Sequence, residues 1–529
     1  MKTTSDKPAA AKPSSLQRRH LFRRLRITSQ ILFFSLFVVT FFFINRSEAS
    51  LHPYSAWLLK LNPLVGLITS IASRTIVTVV MVSSIVTALA TIFFGRIFCG
   101  FACPLGALID FSDRFFFGKL RSAKRRPPLY LQKLKYVFLI TLLTLSVFSI
   151  LFPLFMDPIL LITRFFTLLL HPAGLAAAEG TIRWLGENAP KFSTVHFVGG
   201  GLTFVLFAVV IGGGFWDRRF WCQYICPSGA FFGLLSRFTM LRRSSNEECC
   251  CNCGGCAKRT CPVRAIDEKT PAKTSVAECI LCGKCFEDKR LCSIPYFGLA
   301  ALATTTGPDL QRRHAVIGIA SGLVSLSVLK ADARRNNRRG AVVRPPTACD
   351  EELFLQLCLT CGQCMKLCPN NALQPCTFTD GFFRINTPKL LPAVGYCDPK
   401  CTACGSVCPT GALLPVTRAD KPFTKTGTAI IDRGICTAWK GTSSCITCSR
   451  VCPYNAISLT DITINGEMLT VPVVDDTCCT GCGKCEALCP VRPLAAITVV
   501  PEGQRYRRPP VTDRKREQII ARRREIAEK

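Results

Sequence analysis

Acidic residues are scarce in this chain of 529 residues: 34 Asp and Glu stand against 66 Lys and Arg, a formal net charge of +32. So basic a balance raises nucleic-acid binding as a class. Much of the excess, however, sits beside long apolar runs, where it orients membrane segments instead, and no nucleic-acid partner is expected. Also missing is a small-residue cleavage pattern after the first apolar run, which argues against a cleavable signal peptide. The 33 cysteines lack the spacings of two common cysteine-rich classes. Disulfide frameworks do not place thiols in tight C-x2-C-x2-C triplets followed by Cys-Pro. Structural zinc sites use two C-x2-C pairs across a longer gap and need no third cysteine three residues on.

What the chain has is that triplet, many times over. Cys358, Cys361, Cys364 and Cys368, followed by Pro369, form the C-x2-C-x2-C-x3-C-P run that holds a cubane [4Fe–4S] cluster. Near-copies are Cys397, Cys401, Cys404 and Cys408; Cys436, Cys445, Cys448 and Cys452; and Cys479, Cys482, Cys485 and Cys489. Two more lie upstream: Cys250, Cys253, Cys256 and Cys261, then Cys279, Cys282, Cys285 and Cys292. Where two such runs pair, the fourth cysteine of each ligates the other cluster. One upstream cluster is therefore expected on Cys250, Cys253, Cys256 and Cys292, the other on Cys279, Cys282, Cys285 and Cys261. Cys249 and Cys251 leave the first ligand slightly open. In the C-terminal four, the widened first gaps of the two middle motifs hint at nested pairing, outer with outer and middle with middle. Cys349, Cys376 and Cys478 are left over. Six oxidised cubanes at about −2 each would bring the net charge to roughly +20.

Four segments are apolar enough to span a bilayer: 27–44, 75–95, 136–156 and 197–216. Residues 1–26 hold eight Lys/Arg and the 96–135 loop nine, against three each in 45–74 and 157–196. The positive-inside rule puts the N-terminus, the 96–135 loop and the region after Trp216 in the cytoplasm. This half contains a repeat. Arg96-Ile-Phe-Cys99-Gly-Phe-Ala-Cys103-Pro-Leu-Gly106-Ala107 recurs as Arg219-Phe-Trp-Cys222-Gln-Tyr-Ile-Cys226-Pro-Ser-Gly229-Ala230. Two helix pairs ending in C-x3-C-P suggest a pseudo-symmetric bundle that gathers Cys99, Cys103, Cys222 and Cys226 at a metal, a cluster or a redox thiol pair. Buried helix-start cysteines of no further role are the plainer alternative.

The expected fold is a multi-span α-helical membrane bundle plus α+β bacterial-type ferredoxin domains. Its parts are a basic N-terminus (1–26), the four-span domain (27–244), a two-cluster domain (245–300), a connector (301–349), a four-cluster domain (350–500) and a basic tail (501–529). Short β-prone stretches, 469–474 and 496–500, fit the small ferredoxin unit. The connector carries Arg312-Arg313 and a 15-residue apolar run from Ala315 to Leu329. That run reads as a fifth crossing, with a twin-arginine export leader or a buried helix as alternatives.

Residues 18–300 resemble the NapH-type membrane ferredoxins, with four spans, two C-x3-C-P motifs and two cubane sites. Residues 311–500 resemble the NapG/MauM-type ferredoxins, with a twin-arginine leader and four cubane motifs. Together the resemblances imply a fusion that acts as the quinol dehydrogenase component of an oxidoreductase system. It would sit in a bacterial inner membrane, its first ferredoxin domain cytoplasmic and its second periplasmic. It would draw on the quinone pool and pass electrons to a redox partner, a cytochrome or molybdenum-type reductase. The competing function is copper handling or metalloenzyme maturation, with copper at the C-x3-C-P thiols. Quinol oxidation releases two protons, and Asp157 and His171, bordering the apolar 158–170 stretch, are the expected acceptors.

Overall fold

The computed structural model describes residues 13–43, 57–117, 127–151, 156–184, 197–245, 255–286, 293–297, 312–337, 342–464 and 467–501. Apolar sequence with few breakers makes helices: α1 (Pro13–Phe43), α2 (Pro63–Ser73), α3 (Thr78–Phe94), α4 (Pro104–Ser112) and α5 (Leu134–Val147). After them come α6 (Pro158–Phe165), α7 (His171–Trp184), α8 (Gly201–Gly212), α9 (Pro227–Leu235) and α10 (Arg312–Asn337). A π-helical turn, Phe166–Leu170, joins α6 to α7.

Among the described residues, four helices are long and apolar enough to cross a membrane: Phe22–Phe42, Leu129–Val147, Pro158–Thr181 and Arg312–Ala331. They mark the protein as membrane-associated. Two of the expected spans form shorter helices than drawn. Segment 75–95 yields a helix of only 17 residues, because Thr75–Val77 is not helical and Gly95 takes φ +71°. Segment 197–216 yields 12 α-helical residues, bounded by Gly199–Gly200 and Gly213–Gly214. Conversely, 158–181, expected in an exported loop, is a helix. The 15-residue connector run extends into the 26-residue α10.

Helix α10 runs parallel to α5. Gly318 faces Ile140, Gly322 faces Thr144, and Leu326 and Leu329 join Leu145 and Ile150 in one apolar cluster. Small residues four apart let two backbones approach closely, the usual device for packing helices in lipid. A Cβ at Gly318 would lie 2.8 Å from Ile140 Cβ. Gly318→Leu should therefore lower the detergent melting temperature by several degrees, at a cost of about 1–3 kcal/mol. A melt unchanged from the parent would show that this contact does not hold the bundle together.

The ferredoxin units sit at opposite ends of the bundle, as α3 makes plain. Val77, just before it, packs on the apolar cluster of Ala348, Cys349 and Phe354; Gly95, just after it, meets Thr239 and Leu281. At the first end β1 (Leu241–Ser245) pairs antiparallel with β2 (Ser293–Phe297) beside the 255–286 loops. At the other end, α11 (Glu351–Leu357) precedes three two-stranded antiparallel sheets. These are β3 (Leu373–Pro375) with β4 (Pro388–Leu390), and β5 (Thr428–Ile431) with β8 (Ile497–Val500). The third is β6 (Ile457–Ile464) with β7 (Glu467–Val474). The β-prone stretches 469–474 and 496–500 thus fall in β7 and β8.

Candidate electron-transfer site

The two C-x3-C-P motifs converge. Cys99, Cys103, Cys222 and Cys226 line a single cavity with Asn62, Arg96, Pro158, Ile159, Ser228 and Gly229. Four helices begin there, each with proline in its first turn: α2 at Pro63, α4 at Pro104, α6 at Pro158 and α9 at Pro227. Proline is preorganised for that position, where its missing N–H costs nothing. Cys226 caps α9, accepting from the Gly229 amide at 3.2 Å. The repeat explains the two glycines. Arg219 Nη2 lies 3.4 Å from where a Cβ of Gly106 would be, and Arg96 Nη2 lies 3.0 Å from that of Gly229. Each half thus sends its arginine across the glycine of the other.

Asp157 stands at a helix start inside the bundle. It is fully buried and caps α6, accepting from the Ile159 and Leu160 amides at 3.0 and 3.3 Å. Asn62 donates to it at 2.7 Å, and so does the Ser228 hydroxyl. His171 is half-buried and lies 14 residues further on, about 20 Å along the helix axis. The two do not form a pair, because a helix separates them; an Asp-Pro in sequence signals a helix start as readily as a loop.

The cavity meets the first ferredoxin unit directly and is joined to the second through α6. Cys99 packs with Val263, Ala265, Ile280 and Cys282, and a Cβ on Gly100 would lie 2.4 Å from the Ile280 carbonyl. Toward the other unit, Ile159 to Ile162 share an apolar cluster with Leu359 and Cys361, and Arg164 donates to Thr360 at 3.0 Å. The span from Ile159 to Arg164 is about 8 Å.

The cubane motifs assemble as follows. Cys261 lines one pocket with Cys279, Cys282 and Cys285, as the exchange of fourth ligands requires. Cys256 packs beside Cys261 and Cys285; its expected partners Cys250, Cys253 and Cys292 lie outside the described residues. Cys408 stands close enough to Cys358, Cys361 and Cys364 to add to the effect of burial on their thiols. Cys368 does the same for Cys404, beside Cys397 and Cys401. Cys452 lines one pocket with Cys479, Cys482 and Cys485, and Cys489 joins the apolar cluster of Cys436 and Cys448; Cys445 neighbours Cys448. Pairing is therefore sequential, and the nested arrangement is corrected: loop length absorbs the widened gaps without changing partners. Cys349, Cys376 and Cys478 are buried, Cys349 and Cys478 in apolar clusters beside these groups.

Burial pushes the Cys361 and Cys404 thiols up to about 12 and Cys368 to about 11, so metal loading must expel their protons. Lys421, itself buried, donates to Cys397 Sγ at 3.3 Å. The sulfurs of Cys397 and Cys404 outweigh burial and hold its pKa above the usual lysine value. Sequence reading missed this contact; a lysine 13 residues beyond the last cysteine of its motif gives no signal.

Among the described residues, no three His, Cys, Asp or Glu stand close enough to hold a single metal ion. One zinc at about 2.3 Å from each sulfur would draw four sulfurs to within about 4 Å of one another. Thiols that instead ring a pocket suit a multi-iron cluster, which spreads its ligands over several metals. The four C-x3-C-P thiols line their cavity together in the same way.

Comparisons agree with this chemistry. A "4Fe-4S binding domain" family matches residues 76–124 and 198–245, the two segments that carry the C-x3-C-P motifs, and a "4Fe-4S dicluster domain" matches residues 443–492. The methylamine utilization ferredoxin-type protein MauM of Paracoccus denitrificans is 35% identical over 35% of this chain and 82% of its own length. The ferredoxin-type protein NapG of Escherichia coli is 31% identical, over 35% of this chain and 82% of its own length. MauN of Paracoccus denitrificans is 40% identical over 18% of this chain and 34% of its own length. No solved structure matches the chain. This is an iron–sulfur electron-transfer protein that, through the part it shares with these relatives, belongs to the MauM/NapG family of ferredoxin-type proteins.

Proposed function

We propose that the chain is a transmembrane electron conduit. It takes electrons from membrane quinol and passes them through six [4Fe–4S] clusters to an acceptor on the far side, a reductase or cytochrome. The observation that carries this reading is the position of the four-thiol cavity inside the bundle, between the cysteine groups of the two ferredoxin units. A relay needs sites in sequence, and the sulfur groups supply one. From Cys282 the order is the C-x3-C-P cavity, the Cys361 group, the Cys397 group and the Cys479 group. Cys397 and Cys482 are joined by a backbone hydrogen bond of 2.8 Å. In this reading the chain fuses a NapH-type membrane ferredoxin with a NapG/MauM-type ferredoxin. On the same reading helix α10 crosses the bilayer between the two ferredoxin units, with the 255–297 unit in the cytoplasm and the 342–501 unit in the periplasm of a bacterial inner membrane.

Reporter fusions after Phe297 and after Thr347 should report opposite sides of the membrane. The same side for both would make the chain a one-sided ferredoxin array. Anaerobic purification should give about 24 iron from the six cubanes, plus the share of the C-x3-C-P site. Stoichiometric zinc with little iron would end the reading. His171, an ionisable group on an apolar helix, takes the proton-acceptor role that Asp157 is too enclosed to fill. His171→Gln should slow quinol-driven cluster reduction several-fold with iron content unchanged, and a normal rate would remove it from the site.

A further inference from the structure

The walls of the C-x3-C-P cavity are electropositive well beyond what four cysteines explain. Four helix N-termini meet there, and each presents partial positive charge. Arg96 and Arg219 hold equivalent places in the repeat and are 2% and 1% exposed. Each is anchored from behind by an acid shared with a second cation. Arg219 grips Asp110 at 2.9 and 2.8 Å, and Arg26 binds the same carboxylate. Arg96 meets Glu278 at 3.4 Å, and Lys135 binds that carboxylate too. Cations outnumber acids on both sides. Asp157, a further nearby carboxyl, caps its own helix. A buried excess of positive charge is costly unless an anion answers it.

Two donors also await a partner. Among the described residues, Arg96 Nε and Trp221 Nε1 are buried with no hydrogen bond. Arg96 lines the cavity, and Trp221 directly precedes Cys222.

We propose that Arg96 and Arg219 are counter-cations that favour the reduced state of an iron–sulfur cluster held by Cys99, Cys103, Cys222 and Cys226, so that the membrane site collects electrons between the two ferredoxin units. The inference rests on the proposed conduit, in which these thiols carry a cluster. Such a group, when bound, supplies one-electron chemistry: its charge goes from about −2 to about −3 as a neighbouring site loses one electron. The arginines answer that charge in a medium too poor in water to do so. The hydrogen bonds they can donate toward sulfur act in the same direction.

The test is a redox titration of the whole chain in lipid nanodiscs, followed by electron paramagnetic resonance. The relevant signal is the one that Cys99→Ser removes. Arg96→Met should lower the ratio of reduced to oxidised site at least tenfold at fixed potential, about 59 mV for one electron. Glu278→Gln, which frees Arg96 and Lys135 of their shared anion, should raise it. Opposite signs are the mark of a charge effect, since mere loosening of the fold would move both variants the same way. Arg96→Lys should restore most of the shift. No shift in either variant, or shifts of one sign, would overturn the counter-cation role. Failure of the conduit reading looks different: Cys99→Ser would then remove no signal and no iron.

Discussion

Replacing Cys99 and Cys222 together with serine should leave the cubane signals at both ends of the molecule intact while cutting electron passage between them. We expect the end remote from the electron source to be reduced at least about 100-fold more slowly, equivalent to about 2.7 kcal/mol of barrier. The reason is geometric. Cys99 packs against Cys282 on one side of the cavity, and Cys226 shares an apolar cluster with Cys361 on the other. Without the intervening site, an electron must cross the bundle in one step. Stopped-flow absorbance with quinol or dithionite as donor reads the rate, and metal analysis reads the iron lost. Unchanged transfer with a measured loss of iron would make the cavity a structural site. Unchanged transfer with failure to mature a copper enzyme would instead support metal handling.

The second large effect concerns stability. Stripping iron with a chelator in the presence of an oxidant should unfold residues 342–501 as a unit, while the helical bundle persists. Far-UV circular dichroism would lose its β contribution, and limited proteolysis would degrade this region first. The unit has little else to hold it. Its sheets have two strands each, a marginal arrangement alone. One of its apolar clusters is rich in cysteine: Cys436, Cys478, Cys479, Cys485 and Cys489 are all buried in it. Where the metal site does not exist in the unfolded chain, metal affinity is folding energy. Buried pairs such as Arg344 with Glu351, at 2.7 Å, fix local geometry but do not replace a core. A stripped domain that kept its sheets and its protease resistance would contradict this account.

Sulfur chemistry was written in the chain itself. Ligand spacing is local, so the C-x2-C-x2-C triplets and their terminal Cys-Pro name a cubane without any tertiary information. A duplicated C-x3-C-P run likewise announces a shared site, and apolar runs with asymmetric flanking charge announce helices in a membrane. Partnership could not be read this way. Whether Cys452 joins the Cys479 group or another depends on how loops fold back, and the spacing of the middle motifs pointed to the wrong partner. The short helices were equally hidden. Asn62-Pro63 and Asp157-Pro158 look like loop turns in sequence, yet both start helices inside the bundle, because buried Ser228 and Asn62 satisfy the Asp157 carboxylate. Long-range contacts of that kind link residues 71 to 166 positions apart. No linear pattern encodes such distances, and it is these contacts that enclose Asp157 and bring four thiols, two arginines and four helix starts around one cavity.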